Sequence, residues 1–317
     1  MLAAAWFGLA ALMAASALGG APGRQVVFYT GFEISEGYRS AESELPLRGQ
    51  NGWLGSGSGG NGLVRDFFVG LGQQAYIGYL PPAPKDGYLV LWKPLDLPDP
   101  QPDRPIWRFS VLMQIVDSTN GQYDDFRWTF YNRDGIALFT TAFDNANTGI
   151  YFALDDSAEF YDTGFVFSND AMYELEVILN FARNDWIARM NGVRIIDAQP
   201  ISTNGVALNL GDVDAVWVAH DPQQPGDNYM LFDEYTVSVE PETVIPPVVE
   251  PLGFTDEGDF ALLLHGERGV RYGVEATDDL RQWIRIGEPL LDEGWLVFTD
   301  PAANGRQHAF YRMVELP

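Results

Sequence analysis

Two carboxylates are the first residues of this 317-residue sequence whose spacing could do chemistry. Tyr173-Glu174-Leu175-Glu176-Val177 carries acids at i and i+2, and on a β-strand that puts them on one face about 6.6 Å apart. A general acid and a general base in inverting glycoside hydrolases are separated by roughly 6.5–9.5 Å. Glu174 and Glu176 are therefore candidates for hydrolysis or elimination on a polysaccharide. They also read as ion-pair partners of Arg108 and Arg127 on neighbouring strands. On the polar sheet face Arg108, Gln114, Arg127 and Tyr131 offer planar hydrogen-bonding groups, and Trp217 of Ala215-Val216-Trp217-Val218-Ala219-His220 offers a ring. That mixture suits a sugar, which has a hydroxyl rim and an apolar C–H face. Trp53, Tyr76, Tyr79 and Trp92 add aromatic candidates from loops. A tryptophan in a β-sandwich also reads as a core residue, and each of these positions carries that second meaning.

Other chemistries lack their residues. There is no cysteine, which excludes disulfides, thiolate metal sites and cysteine nucleophiles. His220, His265 and His308 are far apart, without the His-x-x-x-His spacing of a zinc helix. No Gly-x-Ser-x-Gly elbow occurs. Gly57-Ser58-Gly59-Gly60-Asn61-Gly62 fits a dinucleotide fingerprint by letter, but no βαβ pattern surrounds it, so it reads as a loop. Acidic residues number 44 against 19 basic, a net charge of -25. Such a surface repels phosphate backbones and anionic headgroups, so nucleic acid is excluded as a partner.

The elements that position these side chains read as strands. From residue 26 to 239 short apolar runs alternate with turn chemistry: Asn-Gly at 51, 61, 120, 191, 204 and 304, Asp-Gly at 86 and 134. These dipeptides tolerate the positive φ of tight hairpins. Trp107, Phe109, Val111, Met113 and Ile115 alternate with polar residues; so do Phe126, Trp128 and Phe130, and Tyr173, Leu175, Val177 and Leu179. A period of two with one apolar face predicts half-buried antiparallel strands stacked on a second sheet. The fold class predicted is all-β: a two-sheet antiparallel sandwich, followed by a second, small β-sandwich-like domain over 254–317. Between them 240–253, with prolines at 241, 246, 247 and 251, reads as a stiff linker. Ahead of them Leu2–Leu18 is apolar and Ala15-Ser16-Ala17 offers a small-x-small cleavage site, with Gly19-Gly20-Ala21 a second. Residues 1–21 are thus expected to be a signal peptide, although no positive side chain precedes Arg24. The expected location is exported: extracellular, cell surface or periplasm, with no membrane insertion after signal removal. The lack of an Asn-x-Ser/Thr acceptor favours a bacterial source.

Four segments carry a family resemblance: Tyr29-Thr30-Gly31-Phe32-Glu33, Gly49-Gln50-Asn51-Gly52-Trp53, Trp186-Ile187-Ala188-Arg189-Met190-Asn191-Gly192 and Asn228-Tyr229-Met230-Leu231-Phe232-Asp233-Glu234-Tyr235. With them, residues 26–239 resemble a concanavalin A-like, laminin-G-type jelly roll. The tail (Tyr272–Leu280 with Trp283, Phe298-Thr299-Asp300, Phe310-Tyr311-Arg312) resembles a small C-terminal module recurrent in secreted proteins of environmental bacteria. The first resemblance implies a glycan-binding sandwich. Its laminarinase-like members carry E-x-D-x-x-E or E-x-D-x-E, whereas here the third acidic position is Ile178 or Leu179. It also implies a possible structural Ca²⁺ between first and last strands, with Glu33 and Asp233 as ligands. The expectation is a non-catalytic carbohydrate-binding or adhesion module with a polysaccharide or surface glycan as partner. The alternatives are a divergent hydrolase or lyase on Glu174 and Glu176, and a purely structural surface protein.

Overall fold

A computed structural model describes residues 24–40, 45–169, 171–242, 247–267, 270–292, 294–306 and 309–316. The segment 1–21 read as a signal peptide, and His308, lie outside the described residues. The chain divides into two compact units, Met1–Glu242 and Thr243–Pro317.

The strands of the first unit are β1 (Gln25–Thr30), β2 (Leu54–Gly57), β3 (Asn61–Arg65), β4 (Gln73–Gly78), β5 (Tyr88–Trp92), β6 (Ile106–Val116), β7 (Asp125–Tyr131), β8 (Ala137–Asp144), β9 (Gly149–Leu154), β10 (Tyr161–Val166), β11 (Tyr173–Asn180), β12 (Asp185–Met190), β13 (Val193–Pro200), β14 (Asp212–Val218) and β15 (Tyr229–Glu240). They form an 8-stranded sheet in the order β13-β12-β11-β6-β15-β4-β3, with β1 also on β15, and a 7-stranded sheet in the order β10-β9-β8-β7-β14-β5-β2. Every pairing is antiparallel. The molecule is an all-β sandwich, with no α-helix among the described residues.

Alternation along β6 and β7 explains why two sheets must stack. Trp107, Phe109, Val111, Met113 and Ile115 are buried in β6, and Phe126, Trp128 and Phe130 in β7. These inward rings meet: Phe109 lies 5.3 Å from Trp128 and 5.5 Å from Phe130. Trp186 of β12 stacks on Phe139 of β8 at 3.9 Å. Tyr235 of β15 crosses the interior to donate to the Val213 carbonyl of β14 at 3.1 Å. Burial of a single large aromatic is worth about 3–5 kcal/mol against truncation to alanine, so this layer dominates the stability of the unit.

The same alternation corrects one expectation. β6 and β7 lie in opposite sheets and face each other through the core, so their outward residues point to opposite sides. Arg108 and Gln114 emerge on one outer face, Arg127 and Tyr131 on the other; the single polar face read from sequence is two.

The second unit holds β16 (Val248–Phe254), β17 (Phe260–His265), β18 (Tyr272–Thr277), β19 (Ile284–Gly287), β20 (Trp295–Asp300) and β21 (Phe310–Glu315) in two three-stranded sheets, β16-β17-β20 and β19-β18-β21. Leu262, Leu264, Tyr272, Val274, Leu291 and Met313 form its core. Half of the segment read as linker is therefore strand. Pro251 is tolerated because β16 is an edge strand, and the register shifts between Pro251 and Gly253.

Candidate functional site

On the outer face of the eight-stranded sheet, Arg108 is fully committed. Its Nη1 donates to Glu176 Oε1 at 2.8 Å and its Nη2 to Glu240 Oε1 at 2.7 Å, while Arg24 Nε reaches Glu240 Oε2 at 3.4 Å. Glu174 and Glu176 thus share the face their spacing predicts, but Glu176 is held by a guanidinium. Partial burial, and then the charge of Glu176, push the Glu174 carboxyl above its usual range. Gln114 Nε2 donates to the Asn169 carbonyl at 2.8 Å. Arg127, expected near these acids, is on the far side of the molecule. A cavity of about 310 Å³ opens beside β3, β4 and β15, bordered by Phe67, Tyr76, Tyr79 and Tyr229. The rings of Tyr79 and Tyr229 meet edge to face at 5.8 Å.

Trp217 is a core residue and cannot carry a ligand. It is fully buried, lies 6.3 Å from Phe126 in a stacked pair, and donates from Nε1 to Asp124 Oδ2 at 3.0 Å. Trp53 is likewise buried, its Nε1 bonded to the Tyr38 hydroxyl at 3.0 Å. The period-two pattern points odd positions of β14 inward, and Trp217 falls on that phase with Val213 and Ala215.

Glu33 and Asp233 fit calcium poorly. Asp233 is fully buried; its Oδ2 accepts from Gln74 Nε2 at 3.2 Å and its Oδ1 from the Glu234 amide at 2.8 Å. Burial, with the neighbouring charges of Glu234 and Glu33, pushes its carboxyl up to about 8 against those hydrogen bonds. Glu33 Oε1 accepts from the Gln73 amide at 3.0 Å. N–H donors stand where a cation would need open oxygens.

The outer face of the seven-stranded sheet is different. Register places Arg127 beside Val216 of β14 and Ala142 of β8, and Asp125 beside Val218 and Asp144. Small neighbours leave the guanidinium room to lie flat, with its Cζ 4.7 Å from the Phe160 ring centroid. Arg127 Nη2 donates to Asp125 Oδ2 at 2.8 Å, and His220 Nε2 contacts Asp125 Oδ1 at 2.7 Å. Burial alone would raise Asp125, but the His220 and Arg127 contacts outweigh it and hold the carboxyl below its usual range. The hydrogen bond to Asp125 raises His220 in turn. Asp125, Asp144, Tyr151, Phe160 and His220 line a cavity of about 170 Å³ floored by Ala142.

Further along the same face Asp212 and Asp214 alternate outward on β14. Asp212 is the cross-strand partner of Tyr131, and Asp214 that of Thr129. Burial, then the charge of Asp212, raise the Asp214 carboxyl, and the two share a hydrogen bond. Tyr131 is pushed up to about 12 by burial and by Asp214, Asp156 and Asp212. Among the described residues, Asp214 Oδ1 and Arg127 Nε are buried with no hydrogen-bond partner. Of the residues that line the cavity, none was named from sequence as part of a site. Asp125 and Asp144 flank a hairpin, Tyr151 and Phe160 carry no motif, and His220 was weighed only for helical zinc spacing. The outward phase that selects Arg127 also selects Asp125, and was the available signal.

No protein-family model matches the chain, and no curated protein matches it. Solved structures with a similar fold include the carbohydrate esterase vb_24B_21 from Shiga toxin-encoding bacteriophage phi24B, at a TM-score of 0.48 and 13% identity over 69% of this chain and 100% of that one. A sialidase aligns at 0.45 and 9% identity over 69% of this chain, which spans only 19% of the sialidase. The carbohydrate-binding module CBM66 from Bacillus subtilis aligns at 0.35 and 10% identity over 59% of this chain and 94% of the module.

Proposed function

We propose that this chain is an exported carbohydrate-binding module that holds a glycan, without cleaving it, on the outer face of the seven-stranded sheet. One observation carries it: planar hydrogen-bonding groups (Asp125, Asp144, His220) and aromatic rings (Tyr151, Phe160) converge on one cavity, with Arg127 bracing Asp125 and Phe160 behind it. A pyranose needs that combination, rings for its C–H face and bidentate polar groups for its hydroxyls. The ion pair of Glu176 with Arg108 favours a structural over a hydrolytic reading of Glu174 and Glu176. The apolar run Leu2–Leu18 supports export.

Affinity electrophoresis through gels containing laminarin, xylan, mannan, inulin or pectin tests the reading. Retardation on at least one polysaccharide, clearly reduced by Phe160→Ala, is the expected result. Uniform mobility on all of them, or retardation untouched by Phe160→Ala, rejects it.

A further inference from the structure

Three ligand-type side chains from three separate stretches of chain meet at one end of the seven-stranded sheet. Asp125 and Asp144 are cross-strand partners at the start of β7 and the end of β8. On the other side Asp125 pairs with Val218, and His220, two residues on, returns to the same face over Asp125. One ligand atom from each of the three lies within 4.8 Å of the others. His220 Nε2 is 2.7 Å from Asp125 Oδ1 and 4.0 Å from Asp144 Oδ1. Neighbouring donors in a tetrahedral zinc site, with bonds of about 2.0–2.2 Å, stand roughly 3.3 Å apart, between these two separations.

Asp125 and His220 are oriented by contacts made away from the atoms that face each other, whereas Asp144 is held through both of its oxygens, each of which keeps a second lone pair for a cation. Arg127 binds Asp125 through Oδ2 and leaves Oδ1 facing the imidazole. The Ala146 amide donates to Asp144 Oδ1 at 2.8 Å, and Asn147 Nδ2 donates to Oδ2 at 2.8 Å. The His220 amide donates to Asp124 Oδ1 at 3.1 Å, which fixes the backbone that carries the ring. Such outer contacts are what orient ligands in metal sites. Two carboxylates against one guanidinium leave the cluster short of positive charge when the imidazole is neutral. Imidazole nitrogen with carboxylate oxygen selects a borderline transition cation, whereas calcium takes six to eight oxygens.

We propose that Asp125, Asp144 and His220 bind one divalent transition cation of the zinc class, with its open coordination position turned to the adjoining cavity. The site goes beyond glycan binding and does not require it: cation uptake depends on these three side chains alone. Where a glycan enters the cavity, the open position is available to one of its hydroxyl oxygens in place of water.

The test is calorimetric titration of the full chain, stripped with chelator and dialysed, with zinc chloride alone. One saturable site per chain is expected. His220→Gln and Asp144→Asn are each expected to weaken it at least tenfold, by analogy with the cost of losing supporting contacts in metal sites. Melting curves of the metal-free variants must coincide with the parent curve, so that lost uptake is not lost folding; should Asp144→Asn melt early, His220→Gln, at a half-exposed position, decides alone. Absence of a saturable site, zinc uptake unchanged in His220→Gln, or calcium bound as tightly as zinc each overturns the proposal. No sugar enters this experiment, so zinc uptake through His220 with no gel retardation leaves the cation site standing and the glycan reading fallen.

Discussion

Arg108 and Arg127 occupy equivalent outward positions on two strands that face each other through the core, yet they do different work. Level with Arg108 stand Ile178 and Ser238, and from the diagonal positions of β11 and β15 Glu176 and Glu240 reach its guanidinium, which is clamped at both ends with its side chain only 11% exposed. At the level of Arg127 the neighbours are Ala142 and Val216, so one carboxylate and one ring hold it and Nε stays unpartnered. The same sequence signature, an arginine alternating with aromatics, thus makes a structural clamp on one face and an open polar surface on the other. The size and charge of cross-strand neighbours decide which.

The largest expected effect breaks the clamp. Arg108→Ala strands two mostly buried carboxylates and should cost about 3 kcal/mol in urea unfolding, whereas Arg127→Ala should cost no more than about 1 kcal/mol. Equal losses would mean that the two faces are not different in kind. Next comes pH. Burial and the charge of Asp212 keep Asp214 protonated above its ordinary value of 3.8, so the folded chain retains a proton that the unfolded chain has released. Stability should therefore fall as pH rises from about 4 toward the raised folded value. Asp214→Asn should flatten part of that slope and, at pH 8, exceed the parent by at least ~1.4 kcal/mol, the worth of one pKa unit. Parallel curves for the two proteins would refute this assignment.

A smaller effect separates the two cavities. Removing the Phe160 ring should weaken polysaccharide binding by about fivefold, in line with ~1 kcal/mol for a stacking contact. Tyr79→Ala, in the larger cavity of the opposite sheet, should leave it unchanged; the reverse outcome moves the glycan to that sheet. The smallest effect is none at all. Calcium added back to chelator-treated protein should leave the melting temperature where it was, because N–H donors already occupy the Asp233 oxygens. A rise that Asp233→Asn removes would restore a calcium site there.

Local physics made much of this fold legible. The run Trp107–Ile115 lies inside β6, Phe260–His265 coincides with β17, and the alternating aromatics are the ones that meet in the core. These follow from the period-two pattern, which needs only neighbouring residues. The second half of the proline segment was misjudged for a non-local reason: Pro251 is acceptable in a strand that ends up at a sheet edge, and edge position is not written in the segment itself.

By itself, then, the order of residues determined which side chains face inward, where the chain turns, and that an acidic, cysteine-free β protein results. Only the tertiary structure decided which strands became neighbours. That choice put Glu176 and Glu240 on Arg108 and gathered Asp125, Asp144 and His220 from stretches up to 95 residues apart. Alternation says which way a residue points along its own strand, whereas a site is made by the strands on either side, and sheet order depends on contacts that no local pattern encodes.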